Sequence, residues 1–199
     1  TLIEWNNIYY DQRPKIAGRA NEVVRLGLVQ WQMRPMANLE ALFDQVEFFV
    51  DAISNYKADF CLFPELFNAP LLAEFNHLDV AAAMRALARH TEPLQQKFID
   101  FAIRYNVNII TGSMPWLDGE HLKNVGYLCR RDGTWDKFEK VHITPNEVRY
   151  WGMIGGDEVR VYDTDCGKIG IVICYDVEFP ELSRLLAMQG MQILFVPFL

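Results

Sequence analysis

The sequence predicts a layered α/β protein whose sheets contain both parallel and antiparallel strand pairs. Short apolar segments typical of strands alternate with segments whose apolar residues recur at helical spacing. Two turns that contain glycine each join a pair of strand-like segments, as in a hairpin. Interleaved helices favour parallel pairing and hairpins impose antiparallel pairing, so the sheets should be mixed. A chain of 199 residues, 51% of them hydrophobic, can bury such a core.

The first half of the chain alternates strands with helices. Asn38 is a suitable helix N-cap, and the apolar residues from Leu39 to Ile53 recur at helical spacing. The predicted order is a buried strand at 23–30, the helix after Asn38, a strand at 59–63, helices near 80–89 and over 92–105, and a strand at 107–114.

The second half contains two predicted hairpins, one around Asp132-Gly133 and one around Cys166-Gly167. An Asp-Gly pair between apolar segments is a strong hairpin signal. A helix follows and Gly190 can end it in the left-handed conformation. The predicted segments are strands 124–130 and 134–138, strands 159–163 and 168–174, a helix over about 180–189, and a final strand at 192–196.

Composition and charge exclude several classes of function. A formal net charge of -7 and a pI near 5.1 repel polyanions, and the basic residues are scattered, which argues against nucleic acid and anionic membranes as partners. No apolar run approaches the roughly 20 residues of a membrane-spanning helix, and the first 30 residues lack the basic-then-apolar layout of a signal peptide. We therefore expect a cytoplasmic protein.

The cysteines show no metal-binding or disulfide pattern. The sequence has four of them, without a CxxC pair and without Cys/His spacing of the zinc-ligand type. Three lie in or beside apolar strand-like segments, where a reduced cysteine behaves as a small hydrophobic residue. The four are Cys61, Cys129, Cys166 and Cys174.

The two ends of the sequence differ from the rest. Residues 1–21 lack an initial Met and carry Pro, Gly, Asn and mixed charges without periodicity, which predicts an N-terminal arm or linker. Residues 192–199 form an apolar, strand-like end without a polar tail. We expect a domain over 22–199 that is partial and incomplete at its C-terminus.

Cys174 lies where a predicted strand gives way to a helix. A sulfur in that position is exposed at the carboxyl edge of a sheet, where backbone N–H groups and a helix N-terminus can lower a thiol pKa and bind an oxyanion. The alternative is a core cysteine that closes a buried strand. Position alone favours this alternative.

Glu65 and Lys140 occupy comparable places. Glu65 follows the strand at 59–63, and a desolvated glutamate can act as general base for a thiol and as proton donor to departing ammonia. Lys140 follows the first hairpin and, if held in a pocket, would place a positive charge where an oxyanion develops. Taken singly, they have ordinary interpretations as a solvated loop acid and a surface lysine. His142 offers a Cys–His dyad as a further alternative.

Three segments together resemble the nitrilase superfamily, whose members share a Glu–Lys–Cys triad in this chain order. FPELF contains Glu65, KVHITPNE contains Lys140, and ICYDVEFPELSR contains Cys174, with Asp176 also in a matching position. The resemblance extends over about 24–199. Three ordered segments form a far more specific signal than any one of them.

The resemblance implies a reaction and a fold. Cys174 would attack an amide carbon, Glu65 would act as general base and acid, and Lys140 would hold the oxyanion with the backbone N–H of Tyr175. Glu147 matches a second glutamate that supports the site in family amidases. The implied fold is an α-β-β-α sandwich that forms a homodimer or higher homo-oligomer, with no metal and no organic cofactor. Nitrilase-type domains are often fused to others, which fits the N-terminal arm as a linker from a preceding domain.

The sequence thus predicts thiol-dependent hydrolysis of a small amide or N-carbamoyl C–N bond through a thioester, releasing ammonia or an amine. Acyl transfer to an amine would use the same triad. A non-catalytic interaction or regulatory module of the same fold is the alternative from another class, and the intact triad argues against it.

Overall fold

The computed structural model describes residues 23–199, so the arm predicted at 1–21 lies outside the described residues. The helices are α1 (Leu39–Asn55), α2 (Val80–Leu87), α3 (Thr91–Arg104) and α4 (Pro180–Met188). The strands are β1 (Leu26–Leu28), β2 (Phe60–Leu62), β3 (Asn108–Ile110), β4 (Met114–Asp118), β5 (His121–Cys129), β6 (Trp135–Glu139), β7 (Val161–Thr164), β8 (Gly167–Ile171) and β9 (Ile193–Phe195). Short helical turns cover Ala69–Phe75, Ala88–His90, Glu147–Trp151 and Cys174–Glu178.

The first sheet has mixed pairing, as predicted. Strands β1, β2 and β3 are parallel neighbours, and β5 pairs antiparallel with β3, β4 and β6. Because β5 is antiparallel to both β3 and β6, strand β6 runs in the same direction as β2. The carboxyl ends of β2 and β6 therefore lie at the same edge of the sheet.

The second sheet contains the other predicted hairpin. Strands β7 and β8 are antiparallel, with Thr164 opposite Gly167, and β9 pairs with β8 in parallel. The crossover from β8 to β9 contains α4, the usual connection between parallel neighbours.

Apolar contacts arrange these elements as helix, sheet, sheet and helix layers. Helices α1 and α3 share one core with the outer face of the first sheet, and this core includes Val46, Phe98 and Tyr127. A second core fills the space between the sheets, and α4 packs on the far side of the second sheet through Leu186. The core between the sheets contains Phe60, Ile110, Leu128, Phe138, Tyr162, Ile169, Ile171 and Phe195.

Side-chain caps fix the starts of two helices. Asn38 Oδ1 accepts the Ala41 N–H at 3.0 Å, which confirms the predicted cap of α1, and Asp79 Oδ1 accepts the Ala82 N–H at 2.9 Å in α2. No helix within residues 23–199 is long and apolar enough to cross a membrane.

The structure corrects the strand predicted as buried at 23–30. Strand β1 is shorter, and Leu26 and Leu28 are 46% and 66% exposed. Within the described residues β1 is the end strand of its sheet, which explains this exposure.

The strand predicted at 107–114 is divided into β3 and the start of β4. Gly112 has φ +71, and a Cβ there would lie 1.9 Å from the Pro64 carbonyl oxygen, so only glycine allows this close approach. Pro115 lacks a backbone donor and obscured β4 in the sequence, but β4 ends the sheet order, where proline is tolerated.

Candidate active site

Glu65 is held in a constrained turn after β2. Leu66, the next residue, has φ +48, and its N–H donates to Ser113 Oγ at 3.1 Å. The Ser113 N–H in turn donates to the Pro64 carbonyl at 3.3 Å. The side chain of Glu65 is buried, so the alternative interpretation of Glu65 as a solvated loop acid is wrong.

Lys140 lies directly after β6 and is 1% exposed. Its Nζ contacts Glu65 Oε1 at 2.7 Å and Glu147 Oε2 at 2.8 Å. Burial alone would lower the pKa of Lys140, but hydrogen bonds to Glu147 and Glu65 outweigh it and raise the pKa above its ordinary value. The lysine therefore remains a cation at neutral pH.

Glu147 begins the helical turn Glu147–Trp151 through a capping box. Its Oε2 accepts the Thr144 N–H at 2.8 Å, and its own N–H donates to Thr144 Oγ1 at 3.3 Å. Asn124, buried on β5, donates through Nδ2 to Glu65 at 3.1 Å and to Glu147 at 3.3 Å. Sequence reasoning missed Asn124, because nothing near it in the chain marks its role.

Cys174 begins a 3₁₀ turn after β8 and has φ +46, a left-handed backbone that is rare for residues other than glycine. Its N–H donates to the Pro197 carbonyl at 2.9 Å, which helps to hold this conformation. The thiol is half-buried and lies beside the Glu65 carboxylate, which acts on its pKa.

The environment of Cys174 raises its thiol pKa to about 11, contrary to the lowering expected from its position in the sequence. Burial is the largest cause, followed by the charge and hydrogen bond of Glu65, while Lys140 acts in the opposite direction. At neutral pH the resting sulfur is thus a thiol. The carboxylate of Glu65 beside it is a group that can accept a thiol proton.

Asp176 links the segment of Lys140 to the turn of Cys174. Its buried carboxylate accepts backbone N–H groups from His142 at 2.7 Å and from Ile173 at 3.2 Å. It therefore fixes the two chain segments that carry the cation and the thiol relative to each other. In the sequence, Asp176 was identified only as a residue that matches the cysteine segment of the nitrilase superfamily.

His142 is engaged elsewhere than at the thiol. Its Nδ1 lies 3.0 Å from Asp176 Oδ1, and its ring stacks on Phe179 with centroids 3.6 Å apart. Among the described contacts none joins His142 to Cys174, so the geometry does not favour a Cys–His dyad. Tyr175 lies in the first turn after the cysteine, where helical N–H groups have no partner within the helix.

The other three cysteines, Cys61, Cys129 and Cys166, are fully buried, and burial raises the pKa of each thiol. Cys174 is thus the most accessible of the four thiols. Within residues 23–199 no group of three or more His, Cys, Asp or Glu side chains is arranged to hold a metal ion.

Comparison with known proteins identifies related sequences. The sequence model of a family described as carbon-nitrogen hydrolase matches residues 25–198. "Probable hydrolase YhcX" of Bacillus subtilis is 44% identical over 199 residues, which are 100% of this chain and 39% of that protein. "Deaminated glutathione amidase" of Synechocystis sp. is 35% identical over 179 residues, 83% of this chain and 63% of that protein. The chain spans less than two thirds of either relative's length.

Solved structures share the fold. An amidase from Nesterenkonia sp. has a TM-score of 0.74 at 23% identity, with 92% of this chain and 67% of that chain covered. A carbon-nitrogen hydrolase from Helicobacter pylori G27 also has a TM-score of 0.74, at 20% identity, with 88% and 59% covered. The fold class predicted from the sequence is confirmed.

Proposed function

The chain belongs to the carbon–nitrogen hydrolase family, and from this premise we propose that it cleaves the C–N bond of a small amide or N-carbamoyl compound through a thioester on Cys174. The observation that carries the proposal is the Glu65 carboxylate, which accepts a hydrogen bond from Lys140 and lies beside the Cys174 thiol. A base, a cation and a nucleophile in contact are the parts that acyl transfer to sulfur requires. Similarity to "Deaminated glutathione amidase" supports an amide as the substrate class.

In the first half of the proposed reaction, Glu65 takes the thiol proton as the sulfur of Cys174 forms a bond to the amide carbon. The carbonyl oxygen becomes an oxyanion, which Lys140 and the backbone N–H of Tyr175 stabilise. Glu65 then gives its proton to the departing nitrogen, and the C–N bond breaks. Ammonia or an amine leaves, and the acyl group stays on sulfur.

In the second half, a water molecule attacks the thioester while Glu65 accepts its proton. The same oxyanion contacts stabilise the second tetrahedral intermediate. The C–S bond breaks, the proton returns to the sulfur, and a carboxylic acid leaves. Glu147 supports both halves, because both of its carboxylate oxygens accept hydrogen bonds from Lys140 and keep the ammonium in place.

The proposal is tested by assaying purified protein against a panel of small amides and N-carbamoyl compounds for release of ammonia or amine. Release should require Cys174. Adding methylamine as an acceptor distinguishes acyl transfer, because a substituted amide would then accumulate in place of the acid. Absence of both release and a covalent adduct across the panel would favour the non-catalytic alternative.

We also propose that the chain forms a homodimer or higher homo-oligomer. Helix α4 supports this, because it leaves Leu185 and Met188 exposed by 51% and 79% on one short segment. Light scattering on the purified protein measures the mass directly, and a monomer at micromolar concentration would contradict the proposal.

A further inference from the structure

Asn124 lies between the two carboxylates of the site. Its side chain is 0% exposed, and Nδ2 donates to Glu65 Oε1 at 3.1 Å and to Glu147 Oε1 at 3.3 Å. Its backbone carbonyl accepts the Lys140 N–H at 2.9 Å. Asn124 thus contacts three residues that the proposed reaction uses, without carrying a charge itself.

The orientation of this amide is informative. Oδ1 of Asn124 is buried and has no hydrogen-bond partner among residues 23–199, an unfavourable state for an acceptor. Rotating the amide by half a turn would bring Oδ1 against the oxygens of Glu65 and Glu147 and lose both Nδ2 contacts. The carboxylates therefore set the orientation, and they do so as hydrogen-bond acceptors.

The charges around Asn124 give this contact its importance. The groups that face it are the carboxylates of Glu65 and Glu147, the single ammonium of Lys140 and, beyond Glu65, the thiol of Cys174. Two carboxylates that share one cation tend to take up a proton, because this removes their mutual repulsion. Hydrogen bonds from a neutral donor favour the ionised form, and Asn124 gives one such bond to each carboxylate.

We propose that Asn124 is a positioning residue that keeps Glu65 and Glu147 ionised together and reserves one oxygen of Glu65 for the thiol. Glu65 Oε1 already accepts from Lys140 and from Asn124, so Oε2 is left to take the proton of Cys174. This inference rests on the proposed function, since it concerns the base of that reaction.

The kinetic test compares Asn124→Leu and Asn124→Asp with the unmodified protein. For Asn124→Leu we expect the acidic midpoint of the kcat/KM profile to rise by about one pH unit, since the carboxylates lose two donors. We expect kcat/KM at neutral pH to fall by about tenfold or more, as for a misplaced general base. In Asn124→Asp the loss should be larger at alkaline pH and partly recovered as pH falls, because the introduced carboxyl donates again once protonated.

Asn108→Leu is the matched control. Asn108 is also buried in the first sheet, and its Nδ2 also donates to a carboxylate, that of Asp165 at 2.9 Å. It is the first residue of β3 and lies away from the site. In Asn108→Leu the acidic midpoint of the kcat/KM profile should not change, even if the protein is less stable. Equal losses at every pH in both Asn124 variants, with no movement of the midpoint, would overturn the proposal and leave Asn124 as a packing residue.

A second readout needs no substrate and so separates this inference from the proposed function. Infrared titration follows the band of a protonated carboxyl, and in Asn124→Leu this band should persist to a pH about one unit higher. The double variant with Glu65→Gln assigns the band. Asn124→Ala adds no carboxyl and should show the same persistence if Asn124→Leu folds poorly by circular dichroism. Unchanged titration in both variants would refute the inference, whether or not any amide is hydrolysed.

Discussion

A cluster of charged side chains lies at each end of strand β2, and the two clusters contain the same kinds of side chains. Each combines one cation, two carboxylates, one asparagine and one cysteine. The lysine cluster, after the strand, consists of Glu65, Asn124, Lys140, Glu147 and Cys174. The arginine cluster, before it, consists of Asp59, Asn108, Arg131, Asp165 and Cys166. Side-chain inventory alone therefore does not distinguish a site from a structural contact.

The arginine cluster joins the two sheets. Arg131, which follows β5, donates through Nε to Asp165 at 2.7 Å and through Nη2 to Asp59 at 3.3 Å and to Cys166 Sγ at 2.9 Å. Asp165 and Cys166 lie in the turn between β7 and β8, so one guanidinium bridges both layers. The planar fork of arginine suits such a fixed, many-partner contact.

The lysine cluster differs in how its cysteine is placed. The thiol of Cys174 is half-buried, stands on a left-handed turn and lies beside the Glu65 carboxylate, whereas the thiol of Cys166 is buried and contacts both Arg131 and Asp165. Burial raises the pKa of Cys166 to about 12, and the Asp165 carboxylate that this thiol contacts is already paired with Arg131. Solvent access and the backbone turn, more than the set of residues, thus distinguish the two thiols.

The largest expected effect separates the two cysteines. Cys174→Ala should abolish turnover, because no other group can form the thioester, while Cys166→Ala should keep it. Mass spectrometry of protein quenched during turnover should find the acyl adduct on the peptide of Cys174. An adduct on any of the other three cysteines, or near-normal turnover in Cys174→Ala, would show that the mechanism is wrong.

The next largest difference is expected between substitutions of the two cations, Lys140 and Arg131. Lys140→Met should lower kcat by about 10²–10³, the effect of one lost oxyanion donor. Arg131→Met should leave kcat of the folded protein nearly unchanged and lower stability by about 3 kcal/mol, since it removes the cation from the buried carboxylate of Asp59, while Asp165 is half exposed. Urea unfolding beside steady-state kinetics measures both. A large loss of kcat in folded Arg131→Met would contradict the division between the clusters.

Substitutions of Glu65 and Asp59 should also differ in their effect on activity, but less than those of the two cations. Glu65→Gln keeps its shape but cannot accept the thiol proton, so kcat/KM should fall by about 10² or more. Asp59→Asn weakens the contacts to Arg131 and to the Arg25 N–H and should affect stability alone. If both variants lost the same activity at equal folded fraction, the base role of Glu65 would have to be abandoned.

The sequence was sufficient for the parts that depend on local pattern. Alternating helices and strands, the turns at Asp132-Gly133 and Cys166-Gly167, and the segments around Glu65, Lys140 and Cys174 all carry signals within a few residues. The structure places Glu65 against Lys140 and against Cys174, although 75 positions of sequence separate the first two. The order of the three motifs along the chain was enough to predict this proximity, although the sequence contains no distances.

Other features depend on contacts that no local pattern encodes. Asn124 is 59 positions from Glu65, and Asp176 is 34 positions from His142, so their roles emerge only when the chain has folded. The direction of the Cys174 pKa was expected wrongly for the same reason. Its strand-to-helix position suggested a lowered value, but burial and the charge of Glu65 are tertiary effects and prevail.

The smallest expected effect is faster alkylation of Cys174 in a variant whose turnover falls. Because the two changes have opposite signs, this effect tests the comparison sharply. The pKa of Cys174 is raised to about 11, first by burial and then by Glu65, so alkylation by iodoacetamide should be slow at pH 7 and accelerate as pH rises towards 11. Glu65→Gln removes the negative charge, which lowers the thiol pKa and should speed alkylation of Cys174 several-fold while turnover falls. Asp59→Asn should leave that rate alone, and Cys166 should stay unlabelled until the protein unfolds. Slower alkylation in Glu65→Gln would mean that Glu65 does not act on the thiol through its charge.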